Sequence, residues 1–208
     1  MKRGKIILIS VMFVSLVVLT SCVSVGIEKA KYTVIERTGK FEIRQYQAQI
    51  VAETIVDSGF DDAGNIAFGR LFNYISGNNR SKESIAMTAP VSQKADSEKI
   101  SMTAPVNQQK SGGKWSVSFL MPSKYTMETI PEPLDSNVTL REIPPRKMAA
   151  VRYSGTWSRK RYEQKKSNLE QFIANKGLKI IDEAIFARYD PPFQLWFLRR
   201  NEVLIPVE

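Results

Sequence analysis

The chain has 208 residues, a formal net charge of +9, a single cysteine and no histidine. Without histidine, neither a Ser-His or Cys-His catalytic pair nor a histidine-based metal site can form. One cysteine excludes an intramolecular disulfide. The length suits one globular domain preceded by a targeting segment.

Residues 1–21 have the features of a secretory signal peptide. Lys2, Arg3 and Lys5 precede an uncharged run from Ile6 to Leu19, which is short for a permanent transmembrane helix of roughly 20 residues. The sequence Leu-Thr-Ser-Cys then ends at Cys22 and resembles the lipobox of bacterial lipoproteins, which implies that Cys22 is lipidated. An ordinary signal peptide with a chance cysteine, or an uncleaved anchor, are the alternatives.

The lipobox resemblance predicts a location in the cell envelope, with the protein attached to a membrane through its lipid anchor. Val23, and no aspartate, follows the cysteine, a pattern that favours the outer membrane facing the periplasm. An exported protein with interspersed charges is not expected to bind nucleic acid. We therefore predict residues 22–31 to be a lipidated tether and residues 32–208 to be the domain.

In chain order, the domain begins with strand-like alternation and continues into a helix that Gly77 closes. A loop rich in turn formers, from Pro122 to Pro133, separates the two halves. Ser158 is a good N-cap for a second helix. The predicted strands are Tyr32–Ile35, Phe41–Tyr46, Ile50–Val56, Trp115–Met121, Ile180–Arg188 and Leu195–Leu204, with a hairpin over Ser84–Gln108 and helices over Asp61–Ser76 and Ser158–Asn175.

The second half repeats the first. Phe41-x-Ile43-Arg44-x-Tyr46 matches Val138-x-Leu140-Arg141-x-Ile143, and the two predicted helices also correspond. An internal repeat of strand, strand, helix and further strands predicts two similar halves that share one sheet. The expected architecture is α+β, with a mostly antiparallel sheet or barrel and each helix covering part of it.

Four short motifs carry a family resemblance. They are a near-duplicate pair at Ile85–Val91 and Ile100–Val106, Phe-Glu-Ile-Arg-Gln-Tyr at Phe41–Tyr46, Tyr-Asp-Pro-Pro at Tyr189–Pro192, and Arg-Arg-Asn-Glu-Val at Arg199–Val203. Together they resemble the SOUL heme-binding protein family. The duplicated segments are interpreted first as the arms of a hairpin, with direct ligand contact as the alternative.

The resemblance implies a pseudo-two-fold distorted antiparallel β-barrel with two helices, similar to bacterial effector-binding domains. It also implies a tetrapyrrole ligand, typically heme. The ligand would lie in an open apolar cleft between the first helix and the Tyr-Asp-Pro-Pro loop, with no strict need for an axial histidine.

The first helix carries two phenylalanines at the margin of its apolar face. The face expected to pack on the sheet consists of Ala67, Leu71, Tyr74 and Ile75. Phe68 and Phe72 fall beside it and widen the apolar arc beyond what a helix needs for burial. They are predicted to form the wall of a flat groove, with simple extension of the core as the alternative.

Polar positions near this groove are neutral where some relatives are basic. The predicted ligand-binding residues are Asn65, Phe68, Phe72, Asn73, Phe193 and Gln194. Neutral amides bind propionates more weakly than Lys or Arg, and the sequence does not show whether Arg70 or Arg188 faces the ligand. The side chains that could bind heme iron through an oxygen or a thioether sulfur belong to Tyr46, Tyr74, Tyr189, Met87 and Met102. Each of them also has an ordinary role in the core or on the surface. The expected cofactor is therefore non-covalent heme of low affinity, held by apolar burial.

The leading hypothesis is an envelope lipoprotein that binds heme, another tetrapyrrole or a flat hydrophobic molecule. The alternative is a structural or protein-interaction lipoprotein that keeps the fold without the ligand. An enzyme is not expected, and no catalytic or metal-binding residues are predicted. Among the carboxylates, Glu202 is predicted to form a surface ion pair or closing interaction with Arg199 and Arg200.

Overall fold

The computed structural model describes residues 27–82 and 97–208. The predicted signal peptide, Cys22 and the first copy of the duplicated motif lie outside these residues. The strands are β1 (Glu28–Lys29), β2 (Tyr32–Thr38), β3 (Phe41–Tyr46), β4 (Gln49–Val56), β5 (Asn79–Arg80), β6 (Thr103–Ala104), β7 (Val106–Ser111), β8 (Lys114–Leu120), β9 (Glu132–Pro133), β10 (Thr139–Ile143), β11 (Arg146–Tyr153), β12 (Ile185–Arg188) and β13 (Asn201–Pro206). The helices are α1 (Phe60–Ile75) and α2 (Arg159–Asn175), and Trp196–Leu198 forms a 3-10 turn.

Nine strands form one curled antiparallel sheet in the order β10-β4-β8-β7-β12-β13-β11-β3-β2. Apart from β2, the order is symmetric about the β7–β12 pair. The repeated strands pair across the halves, because β3 lies beside β11 and β10 beside β4. The internal repeat is therefore a pseudo-two-fold unit in which each half completes the sheet of the other, and the predicted α+β fold is confirmed.

Both helices cover the same face of the sheet. Helix α1 contacts β4 and β8, and α2 contacts the equivalent strands β11 and β13. The two helices meet one continuous core, in which Phe60 stacks on Tyr162 at 5.6 Å between ring centroids. The predicted core face of α1 is confirmed, since Ala67, Leu71, Tyr74 and Ile75 are all buried. The side chain of Ser158 caps α2 by accepting the N–H of Arg161 at 3.3 Å.

The last predicted strands differ from the structure. Residues 180–184 make only an isolated bridge before β12 begins at Ile185. Leu195–Leu198 is not a strand, because the guanidinium of Arg199 donates to the carbonyl of Gln194 at 2.8 Å and closes a turn there. Five apolar side chains of this segment, from Phe193 and Leu195 to Leu198, are more than half exposed.

Strand β1 precedes the predicted domain boundary at residue 32. Strand β1, within the segment assigned to the tether, pairs in parallel with β6. Pro105 lies between β6 and β7, at a strand end as expected of a residue without an N–H donor. Within the described ranges, neither helix combines the length and apolar character needed to cross a bilayer.

Candidate ligand-binding cleft

An apolar cleft of about 420 Å³ opens between α1, strand β6 and the loop that follows β12. Its size lies in the range of ligand pockets, and apolar side chains dominate its lining. The lining residues are Ile27, Gly64, Asn65, Phe68, Phe72, Met102, Thr103, Ala104, Val106, Trp157, Arg188, Tyr189, Asp190, Pro191, Pro192 and Phe193.

Phe68 and Phe72 form the helical wall of the cleft. Their rings lie nearly parallel, with centroids 5.7 Å apart and an interplanar angle of 12°. Phe68 is anchored edge-on against buried Phe119, with ring centroids 5.4 Å apart. The two phenylalanines are nevertheless 40% and 48% exposed, so they do not simply extend the core. A pair of stacked, solvent-facing rings offers a flat surface to a planar guest.

The predicted site residues divide into two groups. Asn65, Phe68, Phe72 and Phe193 line the cleft, with Phe193 at 86% exposure standing on its rim. Asn73 and Gln194 are not among the lining residues. Asn73 is exposed, one position beyond Phe72 on the helix, and Gln194 is bound through its carbonyl to Arg199.

The second copy of the duplicated motif supplies the wall opposite the helix. Met102, Thr103, Ala104 and Val106 all line the cleft. The sequence favours a structural role for this segment over direct ligand contact. The duplicated motif is the sequence feature that singles the segment out. The first copy of the motif, which is the other arm of the predicted hairpin, lies outside the described residues.

Trp157 completes the lining and was not predicted. Its indole N–H donates to the side-chain oxygen of Asn201 at 2.9 Å, and the amide of Asn201 donates to the carbonyl of Gly155 at 3.1 Å. Asn201 is fully buried, and its two bonds fix the orientation of the indole. The asparagine of the Arg-Arg-Asn-Glu-Val motif thus positions a wall of the cleft.

Arg188 is the cation of the cleft. It donates to the side-chain oxygen of Gln108 at 2.8 Å and lies over the rings of Trp157 and Phe186, at 5.2 and 4.8 Å from their centroids. Burial lowers the pKa of its guanidinium to about 10, so the group stays protonated at neutral pH. Arg70 points elsewhere, since its guanidinium donates to Thr54 on β4.

A buried ionic network fixes the loop that forms the third wall. Glu202 is fully buried and binds Arg44 at 2.7 Å, Arg200 at 2.8 Å and the hydroxyl of Tyr189 at 2.9 Å. Burial alone would raise the pKa of Glu202, but Arg44 and Arg200 hold it below its ordinary value. The predicted ion pair of Glu202 with Arg200 is present. Its predicted surface location is wrong, because Glu202 is buried in β13, and Arg199 donates to the carbonyl of Gln194 instead.

This network joins three of the family-like motifs. Arg44 comes from Phe41–Tyr46, Tyr189 from Tyr-Asp-Pro-Pro and Glu202 from the final motif. Asp190 adds a further tie, accepting the backbone N–H of Arg200 at 2.5 Å. The motifs therefore share one structural task, which is to hold the Tyr189–Pro192 loop against the cleft.

The hydroxyl groups of the three tyrosines that could bind iron form hydrogen bonds within the protein. The hydroxyl of Tyr74 donates to the carbonyl of Pro131 at 2.7 Å, and Tyr46 accepts from Arg44 at 3.0 Å. Burial raises the pKa of Tyr46 to about 12 and the pKa values of Tyr74 and Tyr189 well above ordinary. Of the proposed donors within the described residues, Met102 and Tyr189 line the cleft. The hydroxyl of Tyr189 is already donated to Glu202, so phenolate ligation is unfavourable.

A second depression in the described structure lacks the aromatic wall of the cleft. This depression, of about 350 Å³ beside β1 and β4, has charged side chains of both signs in its lining and none of the stacked aromatics. Among residues 27–82 and 97–208, no group of three or more acidic or cysteine side chains is arranged to hold a metal ion.

The curled antiparallel sheet and the two helices have the fold of effector-binding-like domains. The structure is similar to the crystal structure of the EcmrR C-terminal domain, with a TM-score of 0.56, 12% identity, and coverage of 85% of this chain and 98% of that one. At this identity, the likeness concerns the fold alone.

The chain belongs to the SOUL heme-binding protein family, whose sequence model matches residues 27–206. It is similar to human Heme-binding protein 2, with 26% identity over 174 residues covering 79% of this chain and 80% of the relative. The mouse Heme-binding protein 2 is 27% identical over 184 residues, covering 84% and 85%.

Proposed function

We propose that this protein binds heme, or a related flat and apolar tetrapyrrole, in the cleft between α1 and the Tyr189–Pro192 loop. The observation that carries the proposal is the stacked and solvent-facing pair Phe68 and Phe72 on the wall of an apolar cleft. Membership of the SOUL heme-binding protein family and the heme-binding names of the relatives support a tetrapyrrole as the guest.

Apolar contact should supply most of the affinity. Phe68 and Phe72 are 40% and 48% exposed, and a fully accessible phenylalanine presents about 200 Å². A guest that covers half of their exposed surface buries roughly 50 Å² on each ring, worth about 1 kcal/mol per ring at about 25 cal/mol per Å². With no histidine to bind the iron, dissociation constants on the order of micromolar are expected.

We further propose that the domain is lipid-anchored through Cys22 in the cell envelope, at the outer membrane facing the periplasm. Only residues 23–26 separate Cys22 from Ile27, which lines the cleft. The exposed apolar side chains of Phe193 and Leu195–Leu198 follow the cleft lining directly. An acylated Cys22 would thus hold the mouth of the cleft near the lipid surface, where apolar guests partition.

A binding role, with no catalysis, is our proposal for the chemistry of the site. Asp190, which lines the cleft, and Glu202, which accepts the hydroxyl of the lining residue Tyr189, are both engaged in structural bonds. The second candidate function is a structural or protein-interaction lipoprotein. It is favoured by the run of exposed apolar side chains at Leu195–Leu198, which extends beyond the lining of the cleft.

Hemin titration of the domain from Val23 onward tests the binding proposal. The wild-type domain should give a saturable Soret shift with one hemin per chain. Phe68→Ala with Phe72→Ala should weaken binding roughly thirtyfold, the equivalent of about 2 kcal/mol. Ile181→Ala, which removes an equally exposed side chain outside the cleft, should leave the affinity unchanged. A titration without saturation, or equal losses in both variants, contradicts the proposal.

Palmitate labelling in a bacterial host tests the anchor separately. The full chain should incorporate labelled palmitate and sediment with membranes, and Cys22→Ser should do neither. Incorporation that persists in the serine variant, or a wild-type chain that stays unlabelled, excludes lipidation at this residue.

A further inference from the structure

Arg188 carries a charge that the described protein does not neutralise. Among the residues lining the cleft it is the sole cation, and within 27–82 and 97–208 no carboxylate forms an ion pair with it. Among the described residues, its Nε is buried without a hydrogen-bond acceptor, and its guanidinium donates to neutral Gln108. Buried charges in proteins are normally paired.

The surroundings hold the guanidinium in place against the helical wall. A Cβ built on Gly64 would lie 2.8 Å from Nη1 of Arg188, so the glycine lets the charged group approach the backbone of α1. The ring centroids of Phe60, Trp157 and Phe186 lie 5.9, 5.2 and 4.8 Å from its guanidinium carbon. The group is therefore positioned at the cleft, with little freedom to move away from it.

The neighbouring carboxylates of Asp190 and Asp61 do not form a salt bridge with the guanidinium of Arg188. Asp190 also lines the cleft, but its carboxylate accepts the backbone N–H of Arg200. Burial lowers the pKa of Arg188 and outweighs the electrostatic attraction of Asp61, which raises it. Asn65, the neighbour of Gly64 in the sequence, also lines the cleft and is uncharged.

We propose that Arg188 binds a carboxylate of the guest, so that the cleft selects planar apolar acids over their uncharged counterparts. The proposal rests on the proposed function, because it assigns the polar end of the same cleft. Phe68 and Phe72 contact the flat apolar body, and the guanidinium pairs with the acid through charge-assisted hydrogen bonds. Arg188 is a different position from Asn65, Asn73 and Gln194, which are neutral where some relatives have basic residues.

Zinc protoporphyrin IX and its dimethyl ester separate the two contributions, since they share the macrocycle and differ in the free carboxylates. The wild-type domain should bind the acid at least tenfold more tightly than the ester, measured by porphyrin fluorescence. Arg188→Met should lose about tenfold for the acid and less than twofold for the ester. Arg188→Lys should recover part of the preference.

Arg159→Met is the matched control, because it removes the same charge from an exposed position at the start of α2. It should leave both affinities unchanged. Equal wild-type affinities for acid and ester overturn the assignment without any variant, as does an Arg188→Met loss that is the same for both ligands. If the wild-type domain binds neither porphyrin saturably, the proposed function fails and this assignment with it.

Discussion

Replacing Glu202 by glutamine removes the negative charge at the centre of the buried network while keeping the shape of the side chain. Glu202 is 0% and Arg44 3% exposed, and breaking such a pair costs about 3–5 kcal/mol because a cation stays buried without its partner. Arg44 keeps a second partner, since its Nε binds Glu42 at 2.7 Å. We therefore expect a loss near the lower end, about 3 kcal/mol in the free energy of unfolding.

Urea denaturation of the domain from Val23 onward, followed by tryptophan fluorescence and circular dichroism, measures this loss. In thermal unfolding it corresponds to a melting temperature lower by about 6–12 °C for a domain of this size. Glu132→Gln is the matched control, because its partner Arg80 lies 3.7 Å away and both side chains are about 60% exposed. The control should change stability by less than about 1 kcal/mol. Equal effects of the two substitutions refute the reasoning.

The other predictions concern pH and the tryptophan wall. The pKa of Glu202 is lowered in the folded state from 4.5, so its contribution is complete above the ordinary value and is lost as the pH falls through the folded pKa. The stability difference between wild type and Glu202→Gln should thus be constant at neutral pH and shrink in acid; a difference that grows there contradicts the assignment. Asn201→Ala should destabilise the domain by about 1–3 kcal/mol by leaving the indole N–H of Trp157 unsatisfied, and should increase acrylamide quenching of its fluorescence. Unchanged quenching would show that Asn201 does not hold Trp157.

The fold was predictable because its signals are periodic and repeated. Alternation over Phe41–Tyr46 and Ile50–Val56, the helix ending before Gly77 and the repeat of both features in the second half are all local patterns. The crossed pairing of β3 with β11 and of β10 with β4 follows from the symmetry of the sheet, which local patterns do not encode. The Leu195–Leu198 segment misled the prediction, because its apolar composition resembles a strand while a tertiary bond from Arg199 closes a turn.

The residues of the cleft were predictable from the helix pattern on one side and from the family resemblance on the side of the Tyr-Asp-Pro-Pro loop, where Phe193 lies. Phe68 and Phe72 stand out from the sequence because they exceed the apolar arc that a core helix needs. The burial of Glu202, the approach of Arg188 to Gly64 and the place of Trp157 depend on contacts between residues far apart in the chain. No spacing rule in the sequence points to such contacts, so the charge of the cleft emerged from the structure alone.

Nuclear magnetic resonance of the domain labelled at phenylalanine, titrated with zinc protoporphyrin IX, tests the central claim most directly. The ring current of a bound macrocycle should shift the signals of Phe68, Phe72 and Phe193 and reach saturation at one equivalent. Phe41 of β3 and Phe172 of α2, whose rings stack on each other at 4.8 Å, should not move. Shifts confined to residues outside the cleft, or none that saturate, would contradict the account.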